Sequence, residues 1–387
     1  MKKINSLTGL RFFFIITIVL SHFTFLNDYF DSFAIFANGQ FGVLFFFMIS
    51  GFGLTLKNQT TNSTLLNSKV TLKSSIQFGT KRVSKIYLLY IVTMLLVVPL
   101  TIHKTIVTDG QSNILLSIGK VFAKILIAPT LLQSLTGTSM LSQMFNSVAW
   151  FLSTIFILYM LYPVLEKFNN KVMKKNPYVW IILIAISGEL FRILFRFIGA
   201  KIVFFDLLEY VSPFSRIFDF STGMLIADIF IDVKSKKVEK LKLANLYEPL
   251  VFLIVMFTWI FIPVLTQNEI LISVVYRLAI MSTIFIFAFE SGFLSKLFSS
   301  KFFVTMGNLS MYVFLIHFPV ILYFVYFLTL IMGPSLICSV ICVNLTIVIT
   351  AVWVLCIHLV SKKKKKKNIE TAAEQKTEIE TQNETIN

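Results

Sequence analysis

Two ionisable residues stand eleven apart in an otherwise apolar stretch near the start of the chain: Arg11 and His22, in RFFFIITIVLSH. At 100° per residue that spacing is about three turns plus 20°, so both side chains leave nearly one helix face, about 16 Å apart along the axis. A neutral imidazole is less costly at membrane depth than a full charge, and its ordinary pKa near neutrality suits proton transfer. Arg11, nearer the helix start, is placed to meet a lipid or ligand phosphate. For His22 two readings stand side by side: a residue that handles protons, or a structural histidine bonded to another helix.

Other ionisable residues lie deep in apolar segments. His317, Glu189, Asp219, Arg216 and Arg277 each fall about eleven to fourteen residues from one end of theirs, which is roughly 16–21 Å of helix. A buried polar layer follows. Arg216 with Asp219, and Glu189 with Arg192, are three apart and read equally as neutralising pairs or as site residues. Pro319 follows His317 closely, and a proline inside a helix frees a backbone carbonyl. In FGVLFFFMISGFGL, residues 41–54, Gly42, Ser50, Gly51 and Gly53 read as a helix-packing face. In FGTKRVSKIYLLY, residues 78–90, Lys81, Arg82 and Lys85 fit either a topological charge bias or a phosphate site for a nucleotide-bearing donor.

The elements that must position these groups are membrane helices. Of 387 residues, 56% are hydrophobic and 14% charged, with 42 Phe, which excludes a soluble globular chain. Apolar runs long enough to cross a bilayer are expected at about 8–26, 40–56, 86–102, 147–165, 178–198, 211–230, 248–265, 271–290, 305–331 and 335–360. The fold class is thus all-α, a polytopic bundle of about ten transmembrane helices. Lysine and arginine collect in alternate connections: Lys2 and Lys3, then Lys57 to Lys85, Lys167 to Lys175, Lys234 to Lys242, Lys296 and Lys301, and finally Lys362 to Lys367. Both termini are therefore expected in the cytoplasm. The apolar stretch 114–135 would break this parity if it spanned; with Lys120 and Lys124 on one face and Pro129 ending it, it reads as an amphipathic surface helix.

The net charge of +16 follows the same topology and gives no nucleic-acid surface. Residues 1–361 are expected to form one embedded domain and 362–387 a basic run on anionic lipid with a disordered polar tail. Cys338, Cys342 and Cys356 have no metal-ligand spacing and read as packing residues, so no metal is expected. The first apolar segment is followed by Asn27, Asp28 and Tyr29 rather than a small-residue cleavage site, so it reads as a retained helix.

Four motifs together resemble the acyltransferase 3 family of integral membrane acyltransferases, which O-acetylate bacterial surface polysaccharides and related acceptors. LTGLRFFFIITIVLSHF resembles the family's first helix, with an Arg and a His separated by ten residues, here Arg11 and His22. FGVLFFFMISGFGL is similar to its second helix, and FGTKRVSKIYLLY to its basic motif, with Lys81, Lys85 and Leu88 where Arg, Arg and Pro are more usual. MGNLSMYVFLIHFPV, residues 306–320, resembles the late helix ending in His-x-Pro and carries His317. AWFLSTIFILYMLYP is similar to the family's Trp-containing helix, but Ile155 and Phe156 replace two acidic residues found in many members.

The resemblance covers about residues 5–360. It implies transfer of an acyl group, acetyl from acetyl-CoA, to a hydroxyl of an envelope polysaccharide or its lipid-linked precursor. On that basis His22 and Arg11 are the expected catalytic residues, and Lys81, Arg82 and Lys85 hold the donor. His317, Arg216, Trp150, Glu189 and Asp219 support the acceptor or the polarised donor. His22 would act as base or become transiently acylated. The expected location is the cell membrane, with a partner in envelope-glycan synthesis completing the reaction if transfer is not direct. A transporter or flippase using the same polar layer is the competing reading, and an idle scaffold subunit a third.

Overall fold

The computed structural model describes residues 3–24, 36, 38–60, 69–109, 114–236, 241–333 and 335–360. Asn27 to Tyr29, the lysine run Lys362–Lys367 and the polar tail lie outside them. Among the described residues the chain is helical without strands. The helices are α1 (Asn5–Ser21), α2 (Gly39–Thr60), α3 (Leu72–Asp109), α4 (Ile114–Ile127), α5 (Trp150–Lys171), α6 (Pro177–Lys201), α7 (Pro213–Ser235), α8 (Ala244–Leu265), α9 (Glu269–Phe287), α10 (Lys301–Met332) and α11 (Leu336–Val360).

Each expected apolar run falls on a helix, and among the described residues seven helices are long and apolar enough to cross a membrane. α1 is shorter, at 17 residues. α6 and α7 owe their lower hydropathy to ionisable residues, Glu189, Arg192 and Arg196 on one and Arg216, Asp219 and Asp228 on the other. α1 stops at Ser21, short of the expected 26, and His22 is its C-cap. α3 begins at Leu72 rather than near 86, so Lys73, Lys81, Arg82 and Lys85 lie on a helix and not in a connecting loop.

The bundle has two ends, which can be named for α1. Glu290 caps the Asn5 end by accepting the amides of Asn5 at 2.6 Å and Ser6 at 3.0 Å, a carboxylate where the helix N-terminus favours negative charge. Ser6 also donates to the Phe287 carbonyl at the end of α9, at 2.7 Å. At the His22 end, His103 of α3 meets Tyr326 of α10, and Trp150 opens α5. Since α3 finishes and α5 starts at this same end, the stretch 114–135 does not cross: α4 has 14 residues, and Ala128–Thr130 forms a single 3₁₀ turn containing Pro129. Tyr90 and Tyr87 of α3 hold that turn through the carbonyls of Ala128 at 2.7 Å and Pro129 at 2.8 Å.

The core gathers α1, α2, α5, α7 and α10. Gly51 of α2 and Gly223 of α7 face each other's helix backbone so closely that a Cβ at either would overlap a carbonyl, that of Phe220 or Met48. Gly42 packs likewise against α1 at Phe14 and Thr17, whereas Gly53 meets nothing and is exposed. Around this core α3, α6, α8 and α11 turn Leu88, Ile182, Phe197, Leu253 and Val352 outward, the apolar exterior of a multi-pass membrane protein. Toward the Asn5 end, two buried carboxylates tie three helices together: Glu166 accepts from Thr55 at 3.1 Å and Asn58 at 2.9 Å, and Asp228 accepts from Asn169 at 2.7 Å.

Candidate active site

His22 and His317 come from opposite ends of the sequence and meet. The His317 Nε2 lies 3.5 Å from the His22 Nδ1, and the ring centroids are 5.1 Å apart. Each Nδ1 also reaches a carbonyl one turn back, that of Ile18 at 2.7 Å for His22 and that of Val313 at 3.0 Å for His317. A carbonyl only accepts, so both Nδ1 atoms carry the proton and both Nε2 atoms carry the lone pair. The His22 Nδ1–H is therefore shared between the Ile18 carbonyl and the His317 Nε2.

Pro319 shapes the His317 helix as its sequence position implies. It has no N–H for the Leu315 carbonyl, and Asn146 supplies one instead, donating at 2.9 Å. The same Nδ2 reaches the Thr93 hydroxyl at 3.2 Å, so one buried amide joins α3, the start of α5 and α10 beside the histidine pair.

A chamber of about 300 Å³ opens at His22, lined also by Ser21, Gln40, Trp150, Tyr210 and Phe314. The Trp150 and Tyr210 rings lie 5.0 Å apart. Beyond them Arg216 is buried, its Nε on the Tyr210 carbonyl at 2.7 Å and its guanidinium over the Tyr210 ring, 4.9 Å from the centroid. Arg216 also meets Asp219 at 3.1 Å.

Asp219 is the hub of a larger network. Both its oxygens accept from Arg192 Nη2 at 2.7 Å, and Arg277 stands 3.3 Å away. Glu189 pairs with Arg277 at 2.8 Å and accepts from Ser273 at 2.9 Å, while Arg192 donates to the same serine. Three arginines thus share two carboxylates at depth, and the two (i, i+3) pairs expected from the sequence are parts of one unit.

Arg11 sits toward the Asn5 end, remote from the histidine contact, and makes no ion pair with the described residues. Its electrostatic neighbour on α5 is the Tyr159 phenol, which also acts on Arg82. Arg82 packs over the Phe78 ring, 4.5 Å from its centroid. Lys81, Arg82 and Lys85 are all exposed. Of the expected residues, then, His22, His317 and Trp150 converge, Arg216, Glu189 and Asp219 join in the neighbouring network, and Arg11 and Arg82 share a third region. Gln40, Tyr210 and Tyr276 were not singled out from sequence; each is an uncharged side chain near the end of an apolar run, and nothing in its local pattern marks it. Among the described residues no group of three His, Cys, Asp or Glu side chains is placed to hold a metal ion.

Polar residues at depth around a histidine pair and an open chamber define a multi-pass helical membrane protein. The family model described as an acyltransferase domain matches residues 4–356, and the chain belongs to this acyltransferase 3 family; it is a membrane acyltransferase. No curated protein and no solved structure matches the chain.

Proposed function

We propose that the protein transfers an acetyl group from acetyl-CoA, taken up at the Asn5 end, to a sugar hydroxyl of an envelope polysaccharide or its lipid-linked precursor at the His22 end. The observation that carries this reading is the His22 to His317 contact at the chamber wall. His22 Nε2 removes the proton of the acceptor hydroxyl as its oxygen attacks the thioester carbonyl, and the departing CoA thiolate takes a proton from the imidazolium. Transient acylation of the same nitrogen is the alternative route, with the hydroxyl attacking second. In either route positive charge develops on the His22 ring, and the Ile18 carbonyl and His317 lone pair face its Nδ1–H.

Basic residues support the sidedness. Arg82, Lys167, Lys174, Lys234 and Lys296 all lie toward the Asn5 end, and the positive-inside bias favours that end as the cytoplasmic one, where the donor is. Ten spans with both ends of the chain inside fit this arrangement. Arg11, without an ion pair among the described residues, and Arg82 suit the phosphates of CoA.

The test is acetyl-CoA turnover in washed membranes and O-acetyl signal on the surface glycan by NMR. His22→Ala is expected to abolish both while folded protein remains. Retained O-acetylation in that variant removes His22 from the mechanism, and solute movement without CoA release would replace the transferase with a transporter.

A further inference from the structure

A second cavity, of about 280 Å³, adjoins the His22 chamber, and the two share Gln40 and Tyr210 in their walls. Its charged wall is Arg192, Arg196 and Arg216 with Glu189, Glu209 and Glu269. We infer that this cavity is a second acceptor subsite for a neutral, hydroxyl-rich ring, so that the acceptor is a chain of at least two sugar units without an acidic group there. The inference rests on the transferase reading for what happens in the adjoining chamber.

Charge decides the class of ligand. Every wall cation already has a carboxylate: Arg192 and Arg216 have Asp219, and Arg196 bridges Glu209 at 2.7 Å and Glu269 at 2.5 Å. With Arg277 beneath, four arginines face Glu189, Glu209, Asp219 and Glu269. An anionic ligand would bring an excess negative charge to a wall whose four arginines and four carboxylates already balance, and displacing the buried Asp219 to make room for it would be costly. A sugar hydroxyl has no such requirement. It accepts from a remaining guanidinium N–H and donates to a remaining carboxylate lone pair, leaving each ion pair in place. The hydrogen bonds of Arg216 use Nε and one N–H of Nη1, so both N–H groups of Nη2 and the second of Nη1 remain as donors.

A second, independent observation points the same way. Tyr276 lines the cavity, is 1% exposed, and its hydroxyl has no hydrogen-bond partner among the described residues. A buried hydroxyl left unmatched by protein is matched when a ligand hydroxyl reaches it. Tyr210, between the two cavities and beside Trp150, presents an aromatic ring to a ligand passing from one to the other. Paired charges, an unmatched hydroxyl and an aromatic wall together describe a site for an uncharged polar ring.

The test uses full-length protein in lipid nanodiscs and saturation-transfer NMR titrations with glucose, galactose and N-acetylglucosamine, their homodisaccharides, and glucuronate-containing disaccharides. Neutral disaccharides should bind about tenfold more tightly than their monomers and about tenfold more tightly than the glucuronate forms. Tyr276→Phe should remove most of the disaccharide advantage. Glu209→Gln with Glu269→Gln, which leaves Arg196 unpaired, should reverse the preference toward glucuronate. Equal binding of mono- and disaccharides, tighter binding of glucuronate by the unaltered protein, or no saccharide binding would overturn the inference. CoA release from acetyl-CoA by the unaltered protein reports separately on the transferase reading: release without a length effect sinks only the second subsite, and a length effect without release sinks only the transfer chemistry.

Discussion

The Nε2 of His317 stands 3.5 Å from the Nδ1 of His22, and both rings are anchored through Nδ1 to carbonyls of their own helices. The arrangement is directional. His317, fully buried and fixed by Val313, presents a lone pair to the back of His22, and the His22 Nε2 is left as the basic nitrogen. In the proposed mechanism His317 is a positioning residue, holding the tautomer and orientation of the ring that would do the chemistry.

Substituting His317 tests that assignment by what replaces the lone pair. His317→Leu should lower kcat roughly 10–100-fold, the order expected when a buried hydrogen-bonding partner worth about 1–3 kcal/mol is lost. His317→Gln, whose amide oxygen accepts a hydrogen bond, should recover part of that loss, with acceptor KM little changed in both. A merely structural role would instead reduce the amount of folded protein and leave the kcat of what remains intact.

The Leu315 carbonyl freed by Pro319 makes Asn146 necessary. Asn146→Ala should destabilise the protein by about 1–3 kcal/mol, because it leaves a buried acceptor unmatched. Pro319→Ala restores an N–H one turn on from that carbonyl, so the double variant Asn146→Ala/Pro319→Ala should be more stable than Asn146→Ala alone. Thermal unfolding of the four proteins in one detergent measures this coupling; simple additivity of the two losses would rule it out.

Much of the site was legible because depth can be counted along a helix. Counting residues from the segment ends set His22 and His317 at one level, and Pro319 announced a carbonyl in need of a donor. What counting could not give was rotation of one helix about another. Gln40, Tyr210 and Tyr276 become cavity walls only through the mutual packing of α2, α9 and the short helix Leu208–Val211 ahead of α7, and no residue spacing within a single helix encodes that. The start of α3 departs from the expected bound for a different reason. Lys73 to Lys85 are polar enough to look like a loop, yet Lys, Gln and Arg are good helix formers, and the helix runs on through them. The ending of α1 at Ser21, just before His22, has no local signal of the usual Gly or Pro kind.

Asp219 is the residue on which the buried charges depend. Asp219→Asn leaves Arg192, Arg216 and Arg277 with only Glu189 between them. Breaking such a buried arrangement from one side costs on the order of 3–5 kcal/mol, so a large fall in melting temperature or in folded yield is expected. The exposed pair Lys236 and Asp232, 2.8 Å apart, serves as the contrast, and Asp232→Asn should give no measurable loss. Equal tolerance of the two substitutions would show that water reaches Asp219 and that the network is not a low-dielectric one.

Arg11 offers the sharpest separation of donor binding from chemistry, because it lies eleven residues from His22 and has no ion pair among the described residues. If it meets a CoA phosphate, Arg11→Gln should raise the KM for acetyl-CoA about tenfold, the loss of a charge-assisted contact of roughly 1.5 kcal/mol. The same substitution should matter little when the donor is acetyl-pantetheine, which carries the thioester without any phosphate. CoA or pantetheine thiol release by wild type and variant with both donors completes a cycle in which one corner removes the guanidinium and the other removes its partner. A phosphate contact predicts strong coupling between the two changes. An equal penalty with both donors would assign Arg11 to the bundle instead, as a cation that orders the Tyr159 side of α5 and acts on the reaction only through the fold.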